Sequence, residues 1–139
     1  MRAKFFIVIC LAIMFSFSKV NSALATNWLY VGTLTLSSGE IRKDYVDADS
    51  VVYDKNDHTM KFWVLSEIHF GKDIIKGLKR YSTNINDALR PTKVLEYKVF
   101  SDNNNLIMED KNPSTIIDYP EDVSLLGRSI DIAEDYIKK

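Results

Sequence analysis

Between His58 and Phe70 the apolar positions fall on every second residue. Met60, Phe62, Val64, Ile68 and Phe70 share one side of an extended chain, interrupted only by Ser66. Thr59, Lys61, Glu67 and His69 share the other, with Trp63 and Leu65 among them. A period of two is the signature of a β-strand with one buried face. The second face carries enough apolar surface to be partly covered by another element.

The same period recurs along the chain. "NWLYVGTLTL" (27–36) is rich in aromatic and β-branched residues and stops at a turn containing Gly39, which predicts a first strand. "IRKDYVD" (41–47) follows as the second arm of a hairpin, and 50–53 is a third short extended piece. "DKND" (54–57) supplies turn chemistry, because Asp and Asn bond to the local backbone and tolerate left-handed geometry. Residues 76–85 form a further strand, and Thr92–Glu109 a hairpin with its corner at "DNNN". The period changes to helical spacing only after Pro120, where Leu126, Ile130, Ala133 and Ile137 recur. Asp118, Glu121 and Asp122 lie near the start of that helix and Lys138 and Lys139 at its end, as its dipole favours. Gly127 is expected to interrupt it, with Ser129 capping a shorter helix. These elements predict an α+β, mainly β fold: a single antiparallel sheet of about five to six strands, with a C-terminal amphipathic helix packed on it. The helix is expected on the side that shows Trp63 and Leu65.

The N-terminus follows another pattern. Arg2 and Lys4 precede an apolar run from Phe5 to Phe17, and small residues follow, with exits after Ala25 or after Ser22. The run is shorter than the roughly 20 residues a spanning helix needs. It reads as a cleaved signal peptide over 1–25, leaving 26–139 as a single domain. No later stretch is long and apolar enough to span a membrane. The single cysteine, Cys10, lies inside the apolar run behind Ile9 rather than at a lipidation site. Cleavage would remove it, and with it disulfides, thiol nucleophiles and cysteine-ligated zinc. The remaining domain must rely on its core, and at about 114 residues it buries roughly 60–70% of the surface its unfolded chain exposes.

Removing Arg2, Lys4 and Lys19 from 18 basic residues leaves 15 against 19 acidic ones. That balance argues against general nucleic-acid binding. Residues 72–98 depart from it, with 7 basic and 3 acidic side chains. Lys76, Lys79, Arg80, Arg90 and Lys93 within this stretch are the candidate binding residues, suited to an acidic protein partner. The competing reading is a solvated strand face.

Catalytic and metal chemistry find no support. "DYVDADSVVYDKND" (44–57) carries five aspartates. Asp47 and Asp49 match the first two ligands of a calcium loop, but Val51 and Val52 stand where an acid and a glycine are required. The stretch therefore reads as strand–turn–strand with acidic corners. His58 and His69 are about 36 Å apart along a straight strand, too far for one metal. Glu67 and His69 share a face, but Ser66 points away from them and no activated-serine elbow is present. No carboxylate pair stands out for glycoside chemistry. A glycine-rich phosphate loop is absent, and Pro113 disqualifies the "NPS" sequon. The reading is of a non-enzyme without a cofactor.

One family shares these features. The tryptophan-led "NWLYVG", then Tyr45, Val46, Asp47, Asp49, Ser50 and Val51, then Phe62, Trp63 and Val64, resemble the surface-adhesin protein E family of bacterial exported proteins. The "EYKVFSDNNN" hairpin and a short helix after a proline are also similar. The resemblance spans most of the expected mature chain, through short and mainly structural motifs. It implies a compact antiparallel sheet with a helix, exported to the envelope, and for the best-known members binding to host extracellular-matrix or serum proteins. The chain departs from that family in lacking its paired cysteines and its lipidation site. Two functions follow as expectations: an exported, non-enzymatic adhesin-like protein that binds a protein partner, or a soluble periplasmic protein that binds a small ligand or assists another envelope protein. The expected location is correspondingly the periplasm, the cell surface or the medium.

Overall fold

The computed structural model describes residues 27–113 and 115–137. The expected signal peptide, 1–25, and the terminal Lys138 and Lys139 lie outside the described residues. Seven strands form one sheet: β1 (Trp28–Thr35), β2 (Ile41–Asp47), β3 (Val52–Asp54), β4 (Thr59–Phe70), β5 (Asp73–Asn84), β6 (Thr92–Phe100) and β7 (Leu106–Asp110). All pairs are antiparallel, in the order β1-β2-β4-β5-β6-β7, with β3 also paired to β4. One helix among the described residues, α1 (Leu125–Ile137), packs on the sheet. The class is as expected, with seven strands rather than five to six.

The aspartate-rich stretch proves to be a structural joint. β2 covers Val64–His69 of β4, and β3 covers Thr59–Lys61 on the same side. A single 3-10 turn, Ala48–Ser50, sits between them. The Asp47 carboxylate accepts from the Asp49 amide at 3.0 Å, and Ser50 Oγ donates to the Asp47 carbonyl at 2.8 Å. The same Ser50 Oγ accepts from the Trp63 amide at 2.9 Å, so the strand donor left facing the gap is satisfied. Burial pushes the Asp47 pKa up despite the Asp49 amide that opposes it. Asp54 and Asp57 serve the next turn, accepting from the amides of Asn56 and Thr59. Four of the five aspartates thus hold backbone or lie at corners, and Asp44 is the exception.

Alternation along β4 divides the sheet into two faces. Met60, Phe62 and Val64 pack with Val46, Tyr81, Ile130 and Ala133 into the core. The helix therefore covers the Phe62 face, not the Trp63 and Leu65 face where it is expected from the sequence. Both faces of β4 carry apolar residues, and a period of two cannot say which one a distant helix will choose. Helix α1 also runs unbroken through Gly127. Its cap is Ser124, whose Oγ accepts from the Gly127 amide at 3.0 Å, and Ser129 is instead buried, donating to the Leu125 carbonyl. A methyl group at Gly127 would lie 2.1 Å from the Glu121 carbonyl oxygen. Glycine is required there by the close approach of the preceding strap, residues 115–124.

Candidate functional site

The structure places the five candidate cations on different surfaces. On β5, Lys76 and Arg80 point to the open face and Lys79 to the helix face, because their positions differ in parity. Lys76 donates to Asn104 at 2.9 Å, and Arg80 pairs with Glu96 at 3.3 Å. Arg90, at φ 47° in the β5–β6 loop, is bound to Asp122 and Asp131 and so ties that loop to the helix. Burial opposes the charge of Arg90, but Asp131 and Asp122 more than offset it and its pKa is raised. Lys93 is exposed on β6. A run of seven cations in sequence is thus no single patch in space.

The open face is polar at its rim and aromatic at its centre. Lys98 lies over the Trp63 ring, 5.5 Å from its centroid, and pairs with Glu109 at 3.6 Å. Trp28, Leu65, Leu78 and Phe100 line an apolar groove of about 190 Å³, with Lys76 and Asn104 at its side. Glu67 and His69 do meet here, 3.5 Å apart, and His69 Nε2 is buried without a hydrogen bond. His58 instead contacts the Tyr53 hydroxyl through Nδ1 at 3.2 Å. Among the described residues no three metal-ligating side chains converge.

Among the described residues, one end of the sheet presents an unpaired edge. β7 joins the sheet through β6 alone, and each of its five residues is exposed. Leu106, Ile107 and Met108 are 52%, 62% and 48% exposed. Apolar residues exposed in consecutive positions put hydrophobic surface on both sides of a strand whose outer backbone groups lack a strand partner.

The helix face carries a different arrangement. Between the sheet and the start of α1 lies a cleft of about 620 Å³. Arg42 and Lys79 come from β2 and β5, Tyr81 from β5, Arg128 from α1, and Asp118 and Glu121 from the strap. The strap is held in place by a backbone bridge, with Thr92 and Asp118 exchanging amide bonds of 2.8 and 2.7 Å. Gly32 leaves room on β1 for the helix, since a methyl group there would lie 3.0 Å from Leu125 Cδ2 and 3.3 Å from Arg128 Nη1. Asp44, only 1% exposed, accepts from Arg42 Nε at 2.8 Å and Nη2 at 2.7 Å. That bidentate bond raises the Arg42 pKa against the cost of its burial. Burial, then the neighbouring Arg42 charge, lower the Lys79 pKa. Burial pushes the Tyr81 pKa up to about 12.

Of these cleft residues the sequence singled out Lys79 alone as a binding candidate. Asp44 and Arg42 are two apart on one strand, which puts them on one face, but nothing in their spacing marks that face as buried. Comparison adds no neighbour: no family model, curated protein or solved structure matches the chain.

Proposed function

We propose that this chain is an exported, non-enzymatic binding module of the adhesin-like kind its motifs resemble, and that it engages a protein partner along the β7 edge. The observation that carries the reading is the exposure of Leu106, Ile107 and Met108 on a strand paired on one side only. A partner segment added to that edge would gain main-chain hydrogen bonds, and the alternate side chains would select its sequence. Lys76, Arg80 and Lys93 face solvent on or beside the open face and would favour an acidic partner during approach. The antiparallel sheet with one helix is the architecture the resemblance implies, and it leaves an edge free for this use.

Cell fractionation with protease shaving of intact cells, followed by binding of the exported protein to immobilised purified host matrix and serum proteins, tests the reading. The expected result is a chain shaved from the surface or recovered from the medium. It should bind at least one of these proteins, and Ile107→Lys should weaken that binding by about tenfold or more without changing Tm. A chain that stays protected in the periplasm, or binding indifferent to Ile107→Lys, overturns it.

A further inference from the structure

The cleft under α1 offers hydrogen-bond donors that the fold itself does not use. Arg42 spends Nε and Nη2 on Asp44 and keeps Nη1. Neither Lys79 nor Arg128 is ion-paired among the described residues, although Lys79 Nζ lies over the Tyr97 ring at 5.2 Å. Tyr81 is only 7% exposed, yet its hydroxyl has no hydrogen-bond partner among the described residues. It is not sealed in the core either, for Tyr81 lines the cleft. The Tyr81 hydroxyl thus opens on the cleft, where its hydrogen bond can be made by water or by a ligand. Donors that converge on an open cleft of ligand size mark a binding site. The rest of the lining includes Leu34, Leu125 and Leu126.

We propose that this cleft binds a small organic anion, with a carboxylate or phosphate head on Lys79, Arg128 and the Tyr81 hydroxyl and an apolar body against Leu34, Leu125 and Leu126. The acidic groups around the space define what fits. Asp44 is bound by Arg42 through both carboxylate oxygens, and its charge still acts on Lys79 and Tyr81, so it offsets one of the three cations Arg42, Lys79 and Arg128. Asp118 and Glu121 line the cleft from the strap, and their charges disfavour a polyanion more than a single compact charge. The site is independent of the β7 edge, which lies outside the cleft lining, and stands whether or not that edge docks a protein.

The test is an NMR titration of the protein, purified from the cells that export it, with phenyl phosphate, phenylacetate and uncharged benzyl alcohol in parallel. Amide shifts should centre on Arg42, Lys79 and Arg128 for at least one of the two anions, and whichever anion binds more tightly identifies the head group. Tyr81→Phe and Lys79→Met should each weaken that anion about tenfold or more. Lys55→Gln, at an exposed turn position outside the cleft lining, should leave it unchanged. Tyr81→Phe keeps the ring in the core, so the test survives if Lys79→Met fails to fold. The proposal is overturned if neither anion shifts the cleft amides, if benzyl alcohol binds as tightly as the anions, or if folded Tyr81→Phe binds as wild type does.

Discussion

The two faces of the sheet use the same alternating strands for opposite purposes. On the helix face, Met60, Phe62 and Val64 are sealed beneath Ile130 and Ala133. The polar groups beyond them, Asp44 and Arg42 among them, are held in one bidentate pair at the end of the core. On the open face, Trp63 and Leu65 have no helix above them. Lys98 lies over the Trp63 ring, while Leu65 borders the groove formed with Trp28, Leu78 and Phe100. The difference teaches that apolar character alone does not make a core in this protein. A second layer does, and among the described residues one helix supplies it. Stability should therefore be concentrated on the helix face, leaving the open face and its free edge more tolerant of change.

The largest effect that would break this comparison comes from its centre. Phe62→Ala should lose about 3–5 kcal/mol in urea denaturation, while Leu65→Ala, on the same face as Trp63 and uncovered by the helix, should lose less than half as much. Equal losses would mean that the open face is covered in solution.

Next in size is the paired charge at the core's edge. Arg42→Met leaves Asp44 buried without its bidentate partner and should cost about 2–3 kcal/mol at neutral pH, below the value for a fully enclosed pair because Arg42 is partly exposed. Urea denaturation checks this, and an equal loss in the double variant Arg42→Met/Asp44→Asn would show that the packing of the Arg42 stem matters rather than its charge.

Tyr81 gives a test at the alkaline end. Its pKa is raised to about 12 from an ordinary 10, so the unfolded chain ionises first. The stability this provides is complete below pH 10 and is lost as the pH rises from 10 to about 12. At most about 3 kcal/mol is at stake. Lys79 works in the opposite direction, since its lowered pKa penalises the fold while it is charged and the penalty eases as pH rises toward 10.5. Comparing stability against pH for wild type and Tyr81→Phe isolates the tyrosine, and the variant should lose the steeper alkaline decline. Parallel curves for the two would show that the phenol reaches water freely.

Gly127→Ala should cost about 1–3 kcal/mol, because the new methyl group meets the Glu121 carbonyl and the strap must shift. A thermal melt that does not move would show the strap to be free of the helix.

Much of the fold was legible in the sequence. The strand segments, the turns at 54–57 and at "DNNN", and a C-terminal helix follow from local physics: a side-chain period of two or near 3.6, glycine at positive φ, and Asp and Asn that bond to their own backbone. Gly39 does lie at φ 94° in its hairpin turn. Less of the site was legible. Lys76, Lys79 and Arg80 are close in sequence, but the strand sends the middle one to the helix face and the outer two to the open face. Parity along a strand is visible in a sequence, whereas which parity is buried is not.

The sequence by itself thus determined the extended segments, their turns and the amphipathic helix, because each depends on residues within a few positions of one another. Only the tertiary structure decided that the helix covers the Phe62 face and that Ser124 rather than Ser129 caps it. It also decided that Ser50 reaches the Trp63 amide and that Arg42, Lys79, Tyr81 and Arg128 converge on one cleft. Those outcomes depend on contacts between residues far apart in the chain, formed only when strand register, the small volume at Gly32 and Gly127, and the single available second layer are satisfied together.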